Sequence, residues 1–584
     1  MHPTMINNEK GAEMISKKQN LISLAVMSAF AGFSLQAVAA DASMKAASAI
    51  SGDELLQHIK VLASDEFEGR GPASNGEVKT VAYITEQFKK LGLAPGNPDG
   101  SYLQKVPLLG TTSAPALSLT VDGKTQALRY PDDFVAWSPL AQPEISVKQS
   151  ELVFVGYGVT APEYGWDDYK GMDLKGKTLV MLINDPAIPD PKDPAQLDPK
   201  MFKGKEMTYY GRWTYKFEMA AKLGAAGALI VHETKPASYP YEVVKNSWGR
   251  ENFSIYNPAG NPDFPAVPGW ITLDEAKTLF TSAGQDFDAL KKASLSKDFK
   301  PVSLGVTADF KVANKVNRVE SNNVIAKIEG SDPALKDEYI VYTAHWDHLG
   351  INEALPGPRT NQIYHGALDN ASGVASLLEL AKAYKALPVA PKRTILFIAT
   401  TSEEQGLLGA RYYARNPLYP LSKTLLDINI DGINPWGKTK DVKIIGYGKS
   451  TADDLVRKVA KTQGRSTSAE ARPENGGFYR GDQFEFAKVG VPVIYASSGT
   501  QFIGKSPKFA TEKSEDYTAH SYHKVSDIVN KDWNFSGVVE DMRMLFEAGY
   551  EVAQGQAKPE WKADAEFKAA RDSSLQAAGK AGSQ

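Results

Sequence analysis

The sequence predicts an α/β protein whose sheet is parallel or mixed and covered by helices. Two observations carry this. Tyr339-Ile340-Val341-Tyr342-Thr343-Ala344 and Thr394-Ile395-Leu396-Phe397-Ile398-Ala399 are near-continuous apolar runs, as expected of strands buried on both faces. Between them, Val374, Leu377, Leu378 and Ala381 trace one face of a helix. Strand, helix, strand in this order is the pattern of a sheet with covering helices.

The chain of 584 residues is too long for one ordinary core, so two domains with extra segments are expected. With 42% hydrophobic and 23% charged residues it has the composition of a soluble globular protein. A net charge of −3 gives no electrostatic reason to expect nucleic acid or an anionic membrane as a partner. The chain has no cysteine, which excludes disulfides, thiolate metal sites and a cysteine nucleophile. Any metal must be held by His, Asp and Glu.

The N-terminus has the form of an export signal. Lys17 and Lys18 precede a short apolar run, Leu21 to Phe33, and Ala37-Val38-Ala39-Ala40 offers small residues for cleavage before Asp41. Met14 would start a more compact signal than Met1. No later segment reaches the roughly 20 apolar residues of a membrane span. The mature chain is expected outside the cytoplasm, periplasmic or secreted, with no membrane attachment after signal removal.

Residues 51–95 read as helical. Asp53 can cap a stretch through Leu55, Leu56, Ile59 and Leu62, and a second helix through Val81, Ile84, Phe88 and Leu91 stops at Gly92. Glu68-Gly69-Arg70-Gly71-Pro72 between them is a loop. Residues 150–300 have another texture. Glu151 to Gly158 reads as strand and turn, Lys177 to Ile183 and Ala228 to Val231 as strands, and Lys216 to Leu223 as a short helix. This stretch resembles the protease-associated (PA) domain, a small β-rich module inserted in several peptidase families. Val538, Met542 and Leu545 mark a packed helix, and the chain beyond Ala557 is Lys/Ala/Glu-rich, a frayed helix or tail.

The chemistry-bearing residues sit at strand ends, where open α/β sheets bind ligands. The first apolar strand runs into His345-Trp346-Asp347-His348 and the second into Thr401-Ser402-Glu403-Glu404. A third, Leu425 to Ile430, runs into Asp431. The loop Tyr364 to Gly373 adds Asp369 just before a helix that Asn370 or Ser372 can cap. A His-x-Asp at a strand end is commonly a surface turn, paired glutamates a solvated face and Asp369 a cap. Three successive strands delivering metal-type ligands at one end change those odds.

His345-x-Asp347, Gly366-Ala367-Leu368-Asp369-Asn370-Ala371-Ser372-Gly373, Glu403-Glu404-x-Gly406-Leu407-Leu408-Gly409, Asn429-x-Asp431 and Tyr522-His523-x-x-x-Asp527 occur in that order. This resembles the co-catalytic, two-zinc aminopeptidases of the bacterial leucyl aminopeptidase type, in the subgroup with an inserted PA domain. The resemblance implies a three-layer α/β/α sandwich with a central mixed sheet, two Zn²⁺ ions and peptide substrates cut at the N-terminus. It implies His345, Asp369 and Asp431 as ligands of one zinc, and Asp369, Glu404 and His523 as ligands of the other. Asp347 resembles the carboxylate that orients His345, and Glu403 the general base. Gln483 departs from the family, in which Asp482 would be followed by His. His348 and His365 fall outside the ligand set, and His520 reads as a surface residue. Tyr479 or Tyr495 could donate to an oxyanion. A carboxypeptidase of the same fold would need a cation for the substrate carboxylate, with Arg359, Arg411 and Arg480 near the motifs. A glutaminyl cyclase would keep one zinc, and an inactive peptide-binding relative would have broken ligands. The implied division is 1–40 signal, 41–140 and 301–555 catalytic domain, 141–300 PA-like insertion and 556–584 polar tail.

Overall fold

Two long strands, Leu103–Val121 and Val302–Ile328, pair antiparallel from Leu103↔Val324 to Val121↔Val306 and form the spine of the molecule. A computed structural model describes residues 42–581. The proposed signal, residues 1–40, lies outside them.

The far end of the Val302–Ile328 strand carries the first lobe. Val324–Ile328 pairs antiparallel with Thr394–Thr400. That strand runs parallel to Tyr339–His345, which runs parallel to Thr424–Asn429, and Val493–Ile494 adds a further parallel strand. The sheet is therefore mixed. Its strands are buried on both faces, and their side chains alternate between two cores. Ile340, Tyr342, Ile395 and Phe397 pack with the helices Gly52–Leu62, Ser372–Lys385 and Ser536–Ala553. Val341, Leu396 and Ile398 pack on the opposite face with Ala410, Tyr413, Phe484 and Phe486 of the helices Leu408–Arg415 and Gln483–Lys488. Helix layer, sheet and helix layer give the expected three-layer sandwich.

The near end of the spine carries a second lobe. Glu144–Phe154, Thr178–Leu182, Gly227–His232 and Val267–Thr272 run parallel to one another. Val180 and Leu182 enter one core, and Leu179 and Met181 the other, so both faces of this sheet are covered too.

Three local readings change. The first helix is capped by Ser51, whose Oγ accepts from Glu54 N–H at 3.4 Å, rather than by Asp53, which lies in its first turn. Glu68 to Arg70 belongs to a short 3₁₀ turn that is buried at Gly69 and Arg70. The C-terminal segment is docked and not frayed. Trp561, Ala565 and Phe567 enter the core on the Tyr413 face, Trp561 Nε1 donates to Gly490 O at 2.9 Å, and a helix follows at Lys568–Ala581.

Candidate metal centre

The parallel strands end on one side of the sheet, and their C-terminal residues converge there. His345 is the last residue of its strand, Glu403 and Glu404 follow the neighbouring strand, and Asp431 follows the strand on the other side. Asp369 comes from the loop before the helix Ser372–Lys385. Asn370 Oδ1 accepts from Gly373 N–H at 2.9 Å, satisfying an amide in the first turn of that helix, while the cap position itself is Ala371.

His345 Nε2 lies 3.3 Å from Asp369 Oδ1, 3.3 Å from Asp431 Oδ1 and 4.0 Å from Glu403 Oε2. The other oxygen of Asp369, Oδ2, lies 3.2 Å from His523 Nε2, which is 3.0 Å from Glu404 Oε2. Asp369 thus stands between two clusters, one holding His345 and Asp431, the other Glu404 and His523. The second cluster has a competing imidazole: His348 Nδ1 lies 2.6 Å from Glu404 Oε1, its Nε2 is buried without a partner, and it groups with Asp369 and Glu404 as possible ligands.

Asp347 has a wider task than a carboxylate aimed at His345. Its carboxylate accepts from the backbone N–H of Glu403 at 3.0 Å and of Glu404 at 3.4 Å, and lies 3.7 Å from His345 Nδ1. The nearer partner of that ring nitrogen is the Asp347 carbonyl oxygen, at 3.1 Å. One residue therefore orients the histidine and pins the loop that carries both glutamates.

His523 is presented by an exposed segment. The preceding helix, Phe509–His520, has no buried residue, and His523 itself takes a left-handed backbone with φ 54°. Asp527 ties this segment inward, its carboxylate accepting from Leu368 N–H at 3.1 Å and Asp369 N–H at 3.0 Å.

Arg70, in the loop noted in the sequence without a role, is fully buried under these loops. It donates to Leu62 O at 2.8 Å, Trp346 O at 2.9 Å, His365 O at 2.6 Å and Gly366 O at 2.8 Å. It joins the His345 loop to the Asp369 loop and closes the C-terminus of the first helix, where a cation is favoured. Burial pulls its pKa down to about 10, against the carboxylates of Asp527 and Asp369. The small residue at 366 is required: a Cβ there would meet Arg70 Nη2 at 2.7 Å, and φ is 53°. No metal-type ligand marks this loop, so ligand spacing could not find it.

The remaining candidates separate cleanly. His365 faces Asp65 at 2.8 Å and His520 faces Asp516 on the surface. Gln483 is buried, accepting from Asn429 Nδ2 at 2.6 Å and donating to Phe478 O at 2.8 Å. Tyr479 donates to Glu566 at 2.9 Å, away from the centre, whereas Tyr495 donates to Asp431 O at 3.2 Å.

The electrostatics are those of a cation site. Burial opposes charge on Asp369, yet its hydrogen bonds with His345 and His523 hold the carboxylate well below the usual range. Burial likewise opposes charge on His523, but Glu404 and Asp369 outweigh it and carry its pKa up to about 10. Burial pushes Glu403 well above the usual carboxylate range, with His345 opposing and Asp431 adding to the rise. Five carboxylates crowd three imidazoles, those of His345, His348 and His523, with no lysine or arginine ion-paired to them among the described residues, and the donors are nitrogen and oxygen only. That set fits zinc.

Residues 323–545 match the profile of peptidase family M28. This segment is an M28 peptidase domain. Among curated proteins, the chain is 32% identical over 133 residues to a vacuolar membrane protease of Lodderomyces elongisporus, covering 23% of this chain and 12% of that protein. It is 28% identical over 260 residues to the aminopeptidase NAALADL1 of Rattus norvegicus, covering 36% of this chain and 32% of that protein. The chain thus spans a third or less of these relatives. Among solved structures, an aminopeptidase from Aneurinibacillus sp. strain AM-1 aligns over 89% of this chain and 97% of its own, at 19% identity and a TM-score of 0.46. A zinc aminopeptidase from Bacillus subtilis aligns over 87% and 97%, at 17% identity and a TM-score of 0.41. Among the described residues, no helix is long and apolar enough to cross a membrane.

Proposed function

We propose that the chain is an exported, zinc-dependent aminopeptidase with a two-metal centre. The observation that carries this is the shared position of Asp369, 3.3 Å from His345 and 3.2 Å from His523 through different oxygens. In this reading His345, Asp369 and Asp431 hold one ion, and Asp369, Glu404 and His523 the other. Zinc bound there would supply a Lewis acid for the peptide carbonyl and lower the pKa of water.

The chain's own residues do the rest. Glu403 Oε2, near His345 but outside both ligand sets, takes a proton from the attacking water and passes it to the leaving amine. Asp347 holds Glu403 in place through the backbone N–H and holds His345 through its carbonyl. We read Tyr495, whose hydroxyl donates to Asp431 O at 3.2 Å in this structure, as the group that would turn to donate to the developing oxyanion. The lobe at 141–300 is read as the PA-like insertion, and the apolar run before Asp41 as the export signal.

A panel of amino-acid anilides and N-acetylated and C-amidated peptides tests this reading. Release of N-terminal residues is expected, blocked by acetylation and by chelation. The Glu403→Gln variant should keep its zinc and lose about 10²- to 10⁴-fold in turnover. Cleavage that tolerates acetylation but requires a free carboxyl end would replace the aminopeptidase by a carboxypeptidase. Failure to bind zinc would remove the metal centre altogether.

A further inference from the structure

A cavity of about 460 Å³ adjoins the loops of the metal centre, yet none of the five ligands lines it, nor does Glu403 or Tyr495. Its walls include Leu368, Trp436, Tyr517, Asp527, Val529 and Trp533. Three ligand-bearing segments meet there. Leu368 adjoins Asp369, Trp436 stands five residues past Asp431, and Ser521 and Ser526, which also line the cavity, lie on either side of His523.

Asp527 is the wall shared with the centre. It is 2% exposed, and its carboxylate accepts from Leu368 N–H at 3.1 Å, Asp369 N–H at 3.0 Å and the Tyr517 hydroxyl at 3.3 Å. Its carbonyl oxygen accepts from Ala367 N–H at 3.0 Å. The opposite wall is the helix Phe509–His520, which carries Tyr517 and buries none of its residues. A molecule in the cavity would join that unpacked helix to the backbone that holds Asp369.

The lining states what kind of molecule this is. Its acidic and amide acceptors are engaged: Asp527 by three donors, Asp516 by His520 Nδ1 at 2.9 Å, and Asn530 Oδ1 by Asp532 N–H at 2.9 Å. The groups left open are donors. Neither indole N–H of Trp436 and Trp533 has a partner among the described residues, and Lys513 and Lys531, also in the lining, form no ion pair there. Indole rings, Leu368 and Val529 supply apolar surface. Apolar walls with a few convergent polar groups, at this volume, make a small-molecule site.

We propose that this cavity binds a small organic acid, a carboxylate on an aromatic or branched apolar body, and that its occupant steadies the segment carrying His523. The carboxylate meets the open N–H donors and the body lies among the tryptophans. An ammonium beside the carboxylate would face lysines and find no open carboxylate, so a free amino acid is disfavoured. The site does not depend on the function proposed above; its effect on the metal centre rests on that reading.

Full-length zinc-loaded protein, its metal centre first saturated with a hydroxamate, is titrated calorimetrically with four probes: 3-phenylpropanoate, 3-phenylpropanamide, propanoate and phenylalanine. The first is expected to bind about 10- to 100-fold tighter than each of the others. In Lys513→Gln/Lys531→Gln its advantage over the amide should fall to about one, and in Trp533→Leu its advantage over propanoate should narrow. Equal binding of acid and amide, or a preference that survives the double lysine substitution, overturns the proposal. The coupling is read separately, without hydroxamate, as loss of zinc to a chelator. Saturating 3-phenylpropanoate should slow that loss about 5-fold or more, whereas propanoate, with the same carboxylate for the metals, should not. Binding that leaves zinc release unchanged overturns the coupling. A chain that binds no zinc fails the function proposed above, and the four-probe comparison on it still decides the site.

Discussion

Replacing Arg70 by Met tests whether a buried cross-brace, and not the ligand loops alone, sets the geometry of the metal centre. Arg70 makes four hydrogen bonds to carbonyl oxygens, each from a charged donor. Such bonds contribute about 1.5–3 kcal/mol apiece, or about 6–12 kcal/mol if simply added. The substitution also removes a fully buried guanidinium whose desolvation is unfavourable, so the net loss of stability is about 3–5 kcal/mol. The consequence for the centre is more specific. Without the brace, Trp346 O and His365 O are no longer held to one group, and the His345 and Asp369 loops can separate. Zinc affinity, read by competition with a chromogenic chelator, should weaken about 10- to 100-fold. Arg70→Lys keeps the charge but loses the planar fork, so it should recover much of the stability and less of the zinc affinity. A Met variant that melts lower yet binds zinc as tightly as the parent would refute the reasoning, because the loops would then hold their positions without the cross-brace.

Other expectations follow from single features. His523→Ala and His348→Ala distinguish the third ligand of the second cluster: the true ligand's loss should reduce bound zinc from two equivalents to one, and the other should leave both. Metal analysis of dialysed protein decides it. Trp561→Ala should cost about 3–5 kcal/mol in chemical denaturation, since Trp561 is 3% exposed, whereas a free tail would tolerate it within about 0.5 kcal/mol. Asp168 is buried, and burial raises its pKa from 3.8 to about 6 against hydrogen bonds from Val159 and Trp166. Its folded-state value lies above the unfolded one, so its contribution is full below pH 3.8 and is lost as pH rises through 6. Stability measured between pH 4 and 6 should fall less steeply in Asp168→Asn.

The catalytic half was legible because its signals are local. Apolar runs such as Tyr339–Ala344 report burial on both faces directly, and a ligand at the end of each strand needs no long-range information. Asn370, offered together with Ser372 for the start of the next helix, was readable as a partner of its first turn for the same reason. What escaped depends on contacts distant in sequence. Arg70 reaches carbonyls about 290 residues away in the chain, and nothing in Glu68-Gly69-Arg70-Gly71-Pro72 distinguishes it from an exposed turn. The C-terminal segment misled through composition. Its few large apolar residues, Trp561 and Phe567, are both spent on one core, and an average over the segment hides them. His348 was set aside on pattern alone, yet it stands 2.6 Å from Glu404 because its neighbour Asp347 also pins the glutamate loop.

The second lobe is fixed in place by two independent means, and this bears on how it can act. The antiparallel spine Leu103–Val121 and Val302–Ile328 passes without interruption from one sheet into the other, so the lobes share a continuous ladder of backbone hydrogen bonds. At a distance from that spine, Asp263, Glu218 and Glu206 of the second lobe meet Arg415, Lys488 and Lys449 of the catalytic half. Lys449 is 3% exposed on its side chain and also lies 3.8 Å from Glu566 of the C-terminal segment, so three parts of the chain meet at one buried cation. Opening the seam would strand that cation and the carboxylates around it, at a cost of several kcal/mol for the buried group. A lobe held by a spine on one side and by buried charge on the other is fixed relative to the sheet whose strand ends carry the metal-type ligands.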